Sequence, residues 1–452
     1  MRKLLILIVL TLSVTASAVT KVSLEQLQQD GWSKYQGQRI RITTPLMVCG
    51  SFYDSLVLAP ERLYVPEERA VGLDTGDSTR FFELQAYNKS QAIKLVCKKP
   101  YNLNLGATIR NLEAVVTGER ALQTGQQPAF KNYKPSKKIP SVGKPDMLIC
   151  ATNIQNYFVH QGGYATKRNT PGQHAFQCHK TATALLHINA DLYALCEIEK
   201  GPSAPAELTA MMNKLAKKDR YAFVRTAEDD GDTISVGFIY RKDRVRPVGE
   251  LRRAYNERQN IYSNRFMLQG FEYIPSGEQF VLSLNHPRSK RGDPRVSNTK
   301  RMGNIQAILD CINNAYADST YTDPDILLLG DYNCYRYEEP IQTIVKAGFA
   351  DMLTDSLEYS YSYKGLCGSL DRVFASPTMA EQITGVAPIH WNTDYYYSAA
   401  YYSKYNFQNN NVPKEAPTDI RKCLSKAAKR NMLFRYSDHD PVLIGIKFKS
   451  HE

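Results

Sequence analysis

Apolar runs of five to seven residues recur along the last two-thirds of the chain, and amphipathic stretches separate them. Runs of this length that are rich in Val, Ile and Leu are typical of buried strands. They occupy residues 147–152, 192–196, 234–240, 280–284, 326–330 and 442–448. Apolar positions at helical spacing predict helices at 172–189, 204–217, 297–316 and 338–347. The alternation predicts one α/β unit over residues 146–452.

Residues 20–135 show a different pattern, in which strand-like runs are punctuated by glycines. The runs lie at 38–49, 55–60, 92–97 and 113–122. They predict a small all-β module over residues 19–130, a five-stranded barrel of the oligonucleotide/oligosaccharide-binding (OB) type. Residues 131–145 combine Lys, Pro, Ser and Gly with little apolar content, which predicts a linker.

The first 18 residues have the pattern of a signal peptide. Arg2 and Lys3 precede an apolar run from Leu4 to Val14, and small residues follow at 16–18. We therefore expect an exported protein, secreted or periplasmic. No later stretch approaches the roughly 18 apolar residues of a membrane span, so we expect no stable membrane association.

Composition and charge narrow the class of protein. The chain has 452 residues, 43% hydrophobic and 23% charged, which excludes a disordered or low-complexity protein. The net charge is +12, and residues 19–145 hold 18 basic and 11 acidic side chains. A basic surface favours polyanionic partners, although solubility alone would also explain it.

Nine cysteines are compatible with an oxidising compartment but do not prove disulfides. Cys49 with Cys97, and Cys334 with Cys367, are the pairs that we would test first. Three others lie inside apolar runs and are expected to be buried thiols: Cys150, Cys196 and Cys311. The spacings offer no zinc site.

Polar side chains stand at the ends of the predicted strands. They are Asn153, Glu197, Asn285, His286, Asp331, Asn333, Asp438 and His439. A single strand-end Asp or Asn usually only caps a turn, but together these residues would converge on one edge of a sheet. Clustered carboxylates repel one another and need a cation between them. Hard oxygen ligands of this kind suit Mg²⁺, with Mn²⁺ or Ca²⁺ as alternatives.

Seven motifs in order resemble the endonuclease/exonuclease/phosphatase superfamily, and most of all its secreted bacterial nucleases. They are "ATNIQNYF" (151–158), "LCEIE" (195–199), "VGFIYRKDRV" (236–245), "LNHPRSK" (284–290), "GDYN" (330–333), "GSLDRVFAS" (368–376) and "SDHDPV" (437–442). The resemblance implies a four-layer α/β sandwich, two packed mixed sheets flanked by helices, with the site at one edge. Three motifs depart from the usual form but keep the functional residue.

The resemblance also implies a role for each matched residue. The implied metal ligands are Glu197, Asn153 and Asp438. Asp331 would activate the attacking water, and Asn333 would contact the scissile phosphate. His286 would bind phosphate or act as a general acid. Asp371 would pair with the terminal imidazole, His439.

Four further residues are weaker candidates for substrate binding: Asn285, Lys290, Tyr240 and Arg241. Tyr240 could equally face the core, and Lys290 could belong to a solvated loop. The tyrosine-rich stretch 394–405 and the basic stretch 421–430 could stack on bases or form an insertion loop. The helix at 172–189 carries His174, Cys178, His179 and His187, whose mixed spacing makes a metal site improbable.

These observations predict a secreted, metal-dependent enzyme with nucleic acid as its substrate. It would hydrolyse DNA, and RNA as a second possibility, to 5′-phosphate and 3′-hydroxyl ends. One alternative is an inositol-phosphate phosphatase or sphingomyelinase of the same superfamily. "SLDR" (369–372) and Asp440 depart from the inositol phosphatase pattern. Another alternative is a non-catalytic nucleic-acid-binding protein.

Overall fold

The computed structural model describes residues 19–449 except 53, 71–77, 98–101, 161–169, 227–232, 257–260, 263–264, 356 and 397–410. The predicted signal peptide, the side chain of Cys97 and most of the tyrosine-rich stretch lie outside the described residues. None of the helices within these ranges is long and apolar enough to cross a bilayer.

Two six-stranded sheets form the centre of the second unit, residues 146–449. In chain order, their strands are β10 (Met147–Tyr157), β11 (Leu192–Glu199), β12 (Tyr221–Phe223), β13 (Ile234–Arg241), β14 (Val245–Arg252), β17 (Phe266–Tyr273), β18 (Glu278–Asn285), β19 (Ile326–Asp331), β20 (Ala350–Asp351), β23 (Asp371–Ala375), β24 (Ile383–Pro388) and β25 (Val442–Ile446). The spatial orders are β12-β13-β11-β10-β25-β24 and β14-β17-β18-β19-β23-β20. Both sheets are mixed, because β10–β11 and β18–β19 are parallel and their other neighbours are antiparallel.

Helices and several short strands complete this unit. They are α4 (Pro171–Ile188), α5 (Ser203–Ala216), β15 (Tyr255–Asn256), β16 (Ile261–Tyr262), α6 (Pro294–Ala317), α7 (Glu339–Lys346), β21 (Tyr361–Tyr363), β22 (Leu366–Gly368), α8 (Pro377–Ala380), α9 (Ile420–Cys423) and α10 (Lys426–Arg430).

Three hydrophobic cores stack these elements into four layers. The central core lies between the sheets and joins residues such as Ala194 and Leu282. A second core packs the first sheet against α4 and α5, and a third packs the second sheet against α6 and α7. Strand β11 shows the alternation, since Tyr193 faces the helices and Ala194 faces the other sheet. The predicted four-layer α/β sandwich is thereby observed.

The first unit contains β1 (Thr20–Val22), α1 (Leu24–Asp30), β2 (Arg39–Ile42), β3 (Leu46–Ser51), β4 (Ser55–Ala59), β5 (Leu63–Tyr64), α2 (Pro66–Arg69), α3 (Thr79–Gln91), β6 (Ile93–Cys97), β7 (Thr108–Ile109), β8 (Leu112–Gly118) and β9 (Ala121–Thr124). Its sheet has eight strands, in the order β1-β2-β8-β9-β6-β4-β3-β7.

The strands of this sheet pair in a closed circuit, which begins and ends at residues 39–51. Residues 39–51 pair with 108–115 on one side and with β4 on the other. Strands β6 and β9 between them are parallel, whereas the other pairs of this circuit are antiparallel. Five chain segments thus form the circuit, and its OB type stays a prediction.

Two details of the first unit differ from the sequence prediction. Residues 113–122 are a hairpin of β8 and β9 rather than one strand, and Arg120 takes a positive φ at the turn. Helix α3 was not predicted, because its sequence is largely polar and only Phe81, Leu84 and Asn88 are buried.

The two units share a small sheet. Strand β5 of the first unit pairs in parallel with β22, which pairs with β21. Residues 131–145 are irregular but packed rather than a free spacer: Val142 is buried against the second unit, and the Ser136 carbonyl accepts a bond from Trp391 at 2.9 Å. Removing residues 19–130 would therefore remove a strand that the second unit uses.

The suggested disulfides are wrong for the described side chains. Cys49, Cys334 and Cys367 are free thiols. Cys334 packs in the core beneath α6 and α7, whereas Cys367 lies 3.7 Å from the Arg62 guanidinium of the first unit. Cys150 and Cys196 are buried, as expected, whereas Cys311 is only partly buried.

Gly330, the penultimate residue of β19, lies where β18 and β19 approach each other closely. A Cβ there would lie 2.1 Å from the Asn285 carbonyl oxygen, and φ is +131°. We expect Gly330→Ala to lower the free energy of unfolding by about 2 kcal/mol or more, because strain and clash add. Gly303→Ala in α6 is the matched control, since nothing lies within 4 Å of its Cβ position. It should stabilise by about 0.5–1 kcal/mol. Denaturant unfolding of both variants measures the difference, and equal effects would contradict the close packing.

Candidate active site

Irregularities in β10 and β11 point two polar side chains into the edge of the sandwich. The register between these strands shifts after the Asn153–Cys196 pair, where residues 154–156 of β10 face only Glu197 of β11. Glu197 is also an extra residue of β11 in its pairing with β13. Glu197 has a φ of +61°, and Asn156 in the facing irregularity has a φ of +52°. The Asn156 amide donates to Glu197 Oε2 at 3.0 Å. Backbone strain of this kind is maintained only where the surroundings enforce it.

Asp331, at the end of β19, is the centre of the cluster. Its Oδ2 accepts a bond from Asn153 Nδ2 at 3.0 Å and lies 3.7 Å from Nε2 of both His286 and His439. The same nitrogen of His286 is 3.9 Å from Glu197 Oε1. Two sheets therefore bring two carboxylates, an amide and two imidazoles to one edge.

Asp371 orients one imidazole. Its register partner is Asp331, and its Oδ2 lies 2.8 Å from Nδ1 of His439. The hydroxyl of Ser360 donates to the same oxygen at 2.6 Å. A carboxylate at Nδ1 keeps the proton on that nitrogen and turns Nε2 toward Asp331.

Asn333 sits on the loop that follows β19. Its φ is +52°, its amide donates to Asp331 Oδ1 at 2.9 Å, and its side chain donates to the Pro287 carbonyl at 3.2 Å. The loop is thereby tied both to the central carboxylate and to the segment after His286.

The carboxylates are held in an environment that disfavours their charge. Burial raises the pKa of Asp331 to about 7. The nearby charge of His439 lowers this pKa and that of Asp371 raises it, but burial is the largest effect. Burial also raises the pKa of Glu197, and the nearby Asp438 adds to it. For both carboxylates, desolvation outweighs the favourable charge of His439 and the hydrogen bonds around them.

The two imidazoles are shifted in opposite directions. Burial, with the charge of Arg265, lowers the pKa of His286 well below its usual range. Burial acts the same way on His439, but Asp371 and Asp331 outweigh it and raise its pKa well above that range. His286 is thus a neutral ring and His439 an imidazolium, which suits different roles in proton transfer.

A divalent cation fits this donor set. Glu197, His286 and Asp331 form one group whose ligand atoms lie within 4.8 Å of one another, and Asp331, Asp371 and His439 form another. Because Asp371 is already bound to an imidazole, the two carboxylates of the first group are the better cation site, with the Asn153 amide beside them and His286 free for another task. Two desolvated carboxylates are the ligands that Mg²⁺ prefers.

The other predicted residues are less central. Asp438 is near enough to Glu197 to raise its pKa but belongs to neither group. Asn285 is fully buried, and its amide donates to the Ser283 carbonyl at 2.9 Å and to the Tyr332 hydroxyl at 2.9 Å, so it holds the strand rather than a substrate. Lys290 pairs with Glu338 at 2.5 Å.

Tyr240 and Arg241 are wrong as site residues, because β13 runs antiparallel to β11. Tyr240 pairs with Leu192, at the end of β11 opposite to Glu197. Arg241 is bound to Asp191 at 3.0 Å. The polar groups of α4 do not form a described metal group either, and His174 pairs with Glu207 at 2.7 Å. Residues 420–432 pack against α4.

Two site residues were not predicted. Ser360 anchors Asp371, and the ring of Tyr361 lies 4.6 Å from that of His439. Both belong to the segment "YSYSYKG" (359–365), whose sequence offers no signal that separates them from ordinary strand residues.

Comparisons with known proteins leave the chain without an assigned family. No family model matches it, and no curated protein does. An endonuclease/exonuclease/phosphatase from Bacteroides vulgatus is 13% identical with a TM-score of 0.43, covering 68% of this chain and 100% of that one. A Bacteroides thetaiotaomicron mannosyl-6-phosphatase is 13% identical with a TM-score of 0.43, over 67% and 100%. The human Nocturnin catalytic domain is 12% identical with a TM-score of 0.42, over 67% and 94%. Similarities of this size carry no weight for function, which has to be inferred from this chain's own residues.

Because the pKa of Asp331 is raised, we expect its ionised carboxylate to lower the stability of the folded protein at neutral pH when no cation is bound. A carboxyl whose folded pKa is raised takes up a proton on folding, so its stabilising contribution is lost as pH rises from about 4 to about 7. Asp331→Asn removes that charge. In EDTA its melting temperature should exceed that of the wild type at pH 8 by a few degrees, roughly the effect of 1 kcal/mol, with little difference at pH 4.5. Thermal denaturation at both pH values tests this, and a difference that does not depend on pH would refute it.

Proposed function

We propose that this protein is a metal-dependent phosphodiesterase of the endonuclease/exonuclease/phosphatase superfamily, and specifically an exported nuclease that hydrolyses DNA, with RNA as a second substrate class. The observation that carries the proposal is the convergence of Glu197, His286, Asp331 and the Asp371–His439 pair within 4 Å contacts at one sheet edge. This is the set that in-line attack of water on a phosphodiester requires.

Each side chain has a separate task in this reaction. Glu197, Asp331 and Asn153 would hold Mg²⁺, with Mn²⁺ or Ca²⁺ as alternatives; when bound, the cation neutralises the non-bridging oxygens of the phosphate. Asp331 accepts the proton of the attacking water. The imidazolium of His439, oriented by Asp371, would bind the phosphate through Nε2 and stabilise the negative charge that develops there. As the bond from phosphorus to the 3′ oxygen breaks, the same ring would give its Nε2 proton to that oxygen, which leaves as the 3′-hydroxyl.

His286 and Asn333 complete the site. The neutral ring of His286 can donate only one hydrogen bond, so it orients the phosphate rather than supplying charge. Among the described atoms, its Nδ1 is buried without a hydrogen-bond partner. Asn333 lies on the loop bound to Asp331 and would contact the scissile phosphate, as in the resembling family. The products would be 5′-phosphate and 3′-hydroxyl ends.

The surroundings favour a nuclease over an inositol phosphatase. Asp440 occupies the place of a basic substrate-binding residue in that class, but here it is fully buried and accepts bonds from the amides of Asn392 and Thr393. Arg372 of "SLDR" is also fully buried and ion-paired. Neither side chain is accessible to an inositol phosphate.

The first unit would hold the nucleic acid. The unit together with the segment that follows it, residues 19–145, holds 18 basic against 11 acidic side chains, which supports this. The closed circuit of strands in the unit, which is compatible with the OB type, supports it as well. Contacts to the phosphate backbone would make the affinity fall with salt. The alternative is that the unit is a structural element of the enzyme.

A substrate panel tests the activity. Purified protein should nick plasmid DNA and cleave single-stranded DNA in Mg²⁺, and EDTA after removal of metal should abolish both reactions. RNA, sphingomyelin and inositol phosphates form the other arms. Release of phosphate from inositol phosphates with intact plasmid would favour the phosphatase alternative, and full nicking in EDTA would falsify the metal requirement.

The two imidazoles give a second prediction. His286→Ala and His439→Ala should each lower kcat by about 10²-fold or more, the scale of acid–base and charge stabilisation, with a much smaller change in substrate affinity. Asp371→Asn should resemble a milder His439 variant, since it acts through that ring. His187→Ala, at an exposed position of α4, is the control. Steady-state kinetics on one oligonucleotide compares all four, and normal turnover in either imidazole variant would remove that residue from the site.

A further inference from the structure

Glu68 is a fully buried carboxylate that the first unit inserts into the second. It lies on the short helix α2, directly after β5, the strand that pairs with β22. A buried carboxylate is costly unless charges and hydrogen bonds compensate it. Its partners therefore reveal what the first unit contributes to the second.

All the described partners of the Glu68 side chain lie in two segments of the second unit. Oε1 accepts a bond from the Arg372 guanidinium at 2.9 Å and lies 3.7 Å from Nε of Arg336. Oε2 is 3.4 Å from the backbone amides of Arg336 and of Ser369. The carboxylate thus binds the loop after β19 and the start of β23 together.

These two segments carry residues of the proposed active site. Arg372 follows Asp371 in β23, and successive strand residues point to opposite faces, so Asp371 faces His439 while Arg372 faces Glu68. Arg336 is three residues beyond Asn333. Fixing Arg336 and Arg372 fixes the backbone on either side of the catalytic cluster.

Neighbouring contacts of the first unit secure the same two segments. The Tyr337 amide donates to the Glu67 carbonyl at 3.0 Å, and the Val65 amide donates to the Cys367 carbonyl at 2.9 Å. Val65 also packs with Tyr335 and Leu370. The segment 63–69 therefore packs between the loop after β19 and the start of β23.

The second unit also supplies an acidic side chain to this cluster of charges. Asp351 binds the other side of the Arg372 guanidinium and lies 4.0 Å from Nε of Arg336. Buried ion pairs contribute little net stability but define geometry closely, because few arrangements satisfy every partner. Glu68 is thus better explained by geometry than by stability.

We propose that Glu68 is a positioning residue for the active site: through Arg372 and the amides of Arg336 and Ser369, it sets the placement of Asp371, and through it His439, and of the Asn333 loop. The inference rests on the proposed hydrolytic function, although Glu68 itself contacts neither substrate nor cation. The first unit is then part of the catalytic site and not only a surface for holding substrate.

The variant Glu68→Gln tests this, because it keeps the size of the side chain and removes its charge. At 25 °C on a short oligonucleotide, we expect kcat to fall about 10-fold or more with KM within about 2-fold, since misplacement of reacting groups affects turnover. Glu68→Asp keeps the charge but shortens the reach, and it should also lose kcat. Glu113→Gln, which breaks the ion pairs of a carboxylate in the sheet of the first unit with Arg39 and Arg41, is the matched control and should behave as wild type.

Hydrogen–deuterium exchange provides a readout that does not need turnover. Peptides covering 330–338 and 366–372 should exchange faster in Glu68→Gln than in wild type, with no change in Glu113→Gln. Wild-type kcat and exchange in Glu68→Gln would overturn the proposal. A loss of kcat that only follows the unfolded fraction, measured by circular dichroism, would overturn it as well.

Two further outcomes are distinguishable. If Glu68→Gln does not fold, Glu68→Asp decides: wild-type kcat and exchange in that variant would overturn the proposal. If the wild-type protein hydrolyses no phosphodiester with any divalent cation, the proposed function fails. Local exchange in the Glu68 variants then still decides whether Glu68 positions these segments.

Discussion

The structure of the site depends on one electrostatic constraint: several carboxylates are buried together where the two sheets meet. Like charges at such distances repel, and burial removes the water that would screen them. Each acid is therefore given a specific compensation. Asp371 has the His439 imidazolium and a hydroxyl, and Glu197 has a backbone amide. Asp331 has an amide side chain, a backbone amide and the Nε2 side of the same imidazolium at 3.7 Å. What remains uncompensated at Glu197 and Asp331 is the place for a cation.

Backbone geometry enforces this arrangement. Regular strands would alternate their side chains between core and helix faces and would leave the sheet edge without acids. The extra residue at Glu197, the positive φ of Asn333 and the close approach at Gly330 each depart from regular structure at the same edge. The central core between the sheets fixes the strands from which these departures project.

The features that were predicted correctly from the sequence are those that the local pattern of residues determines. Strand-end acids and imidazoles such as Glu197 and His439 were identified because apolar runs locate strand ends, and the ordered motifs indicated which acids belong together. Tyr240 failed because strand direction decides which end of a sheet a residue occupies, and no local signal gives that direction. Asn285 failed because its amide is already bonded to Ser283 in the same strand and to Tyr332, a partner 47 residues away. Glu68 could not be found, since a lone acid in a short helix shows nothing of a partner in another unit.

The contact between Glu68 and Arg372 joins residues 304 positions apart in the chain. Such a contact has a very high contact order, and closing so long a loop is slow compared with forming local helices or hairpins. The sandwich can collapse from nearer pairings, but the loop after β19 and the start of β23 acquire their last partner only when the first unit docks. During synthesis the site therefore stays unfinished until the residues from Glu68 through His439 have all been made. Assembly of the site is thereby coupled to elongation of the chain.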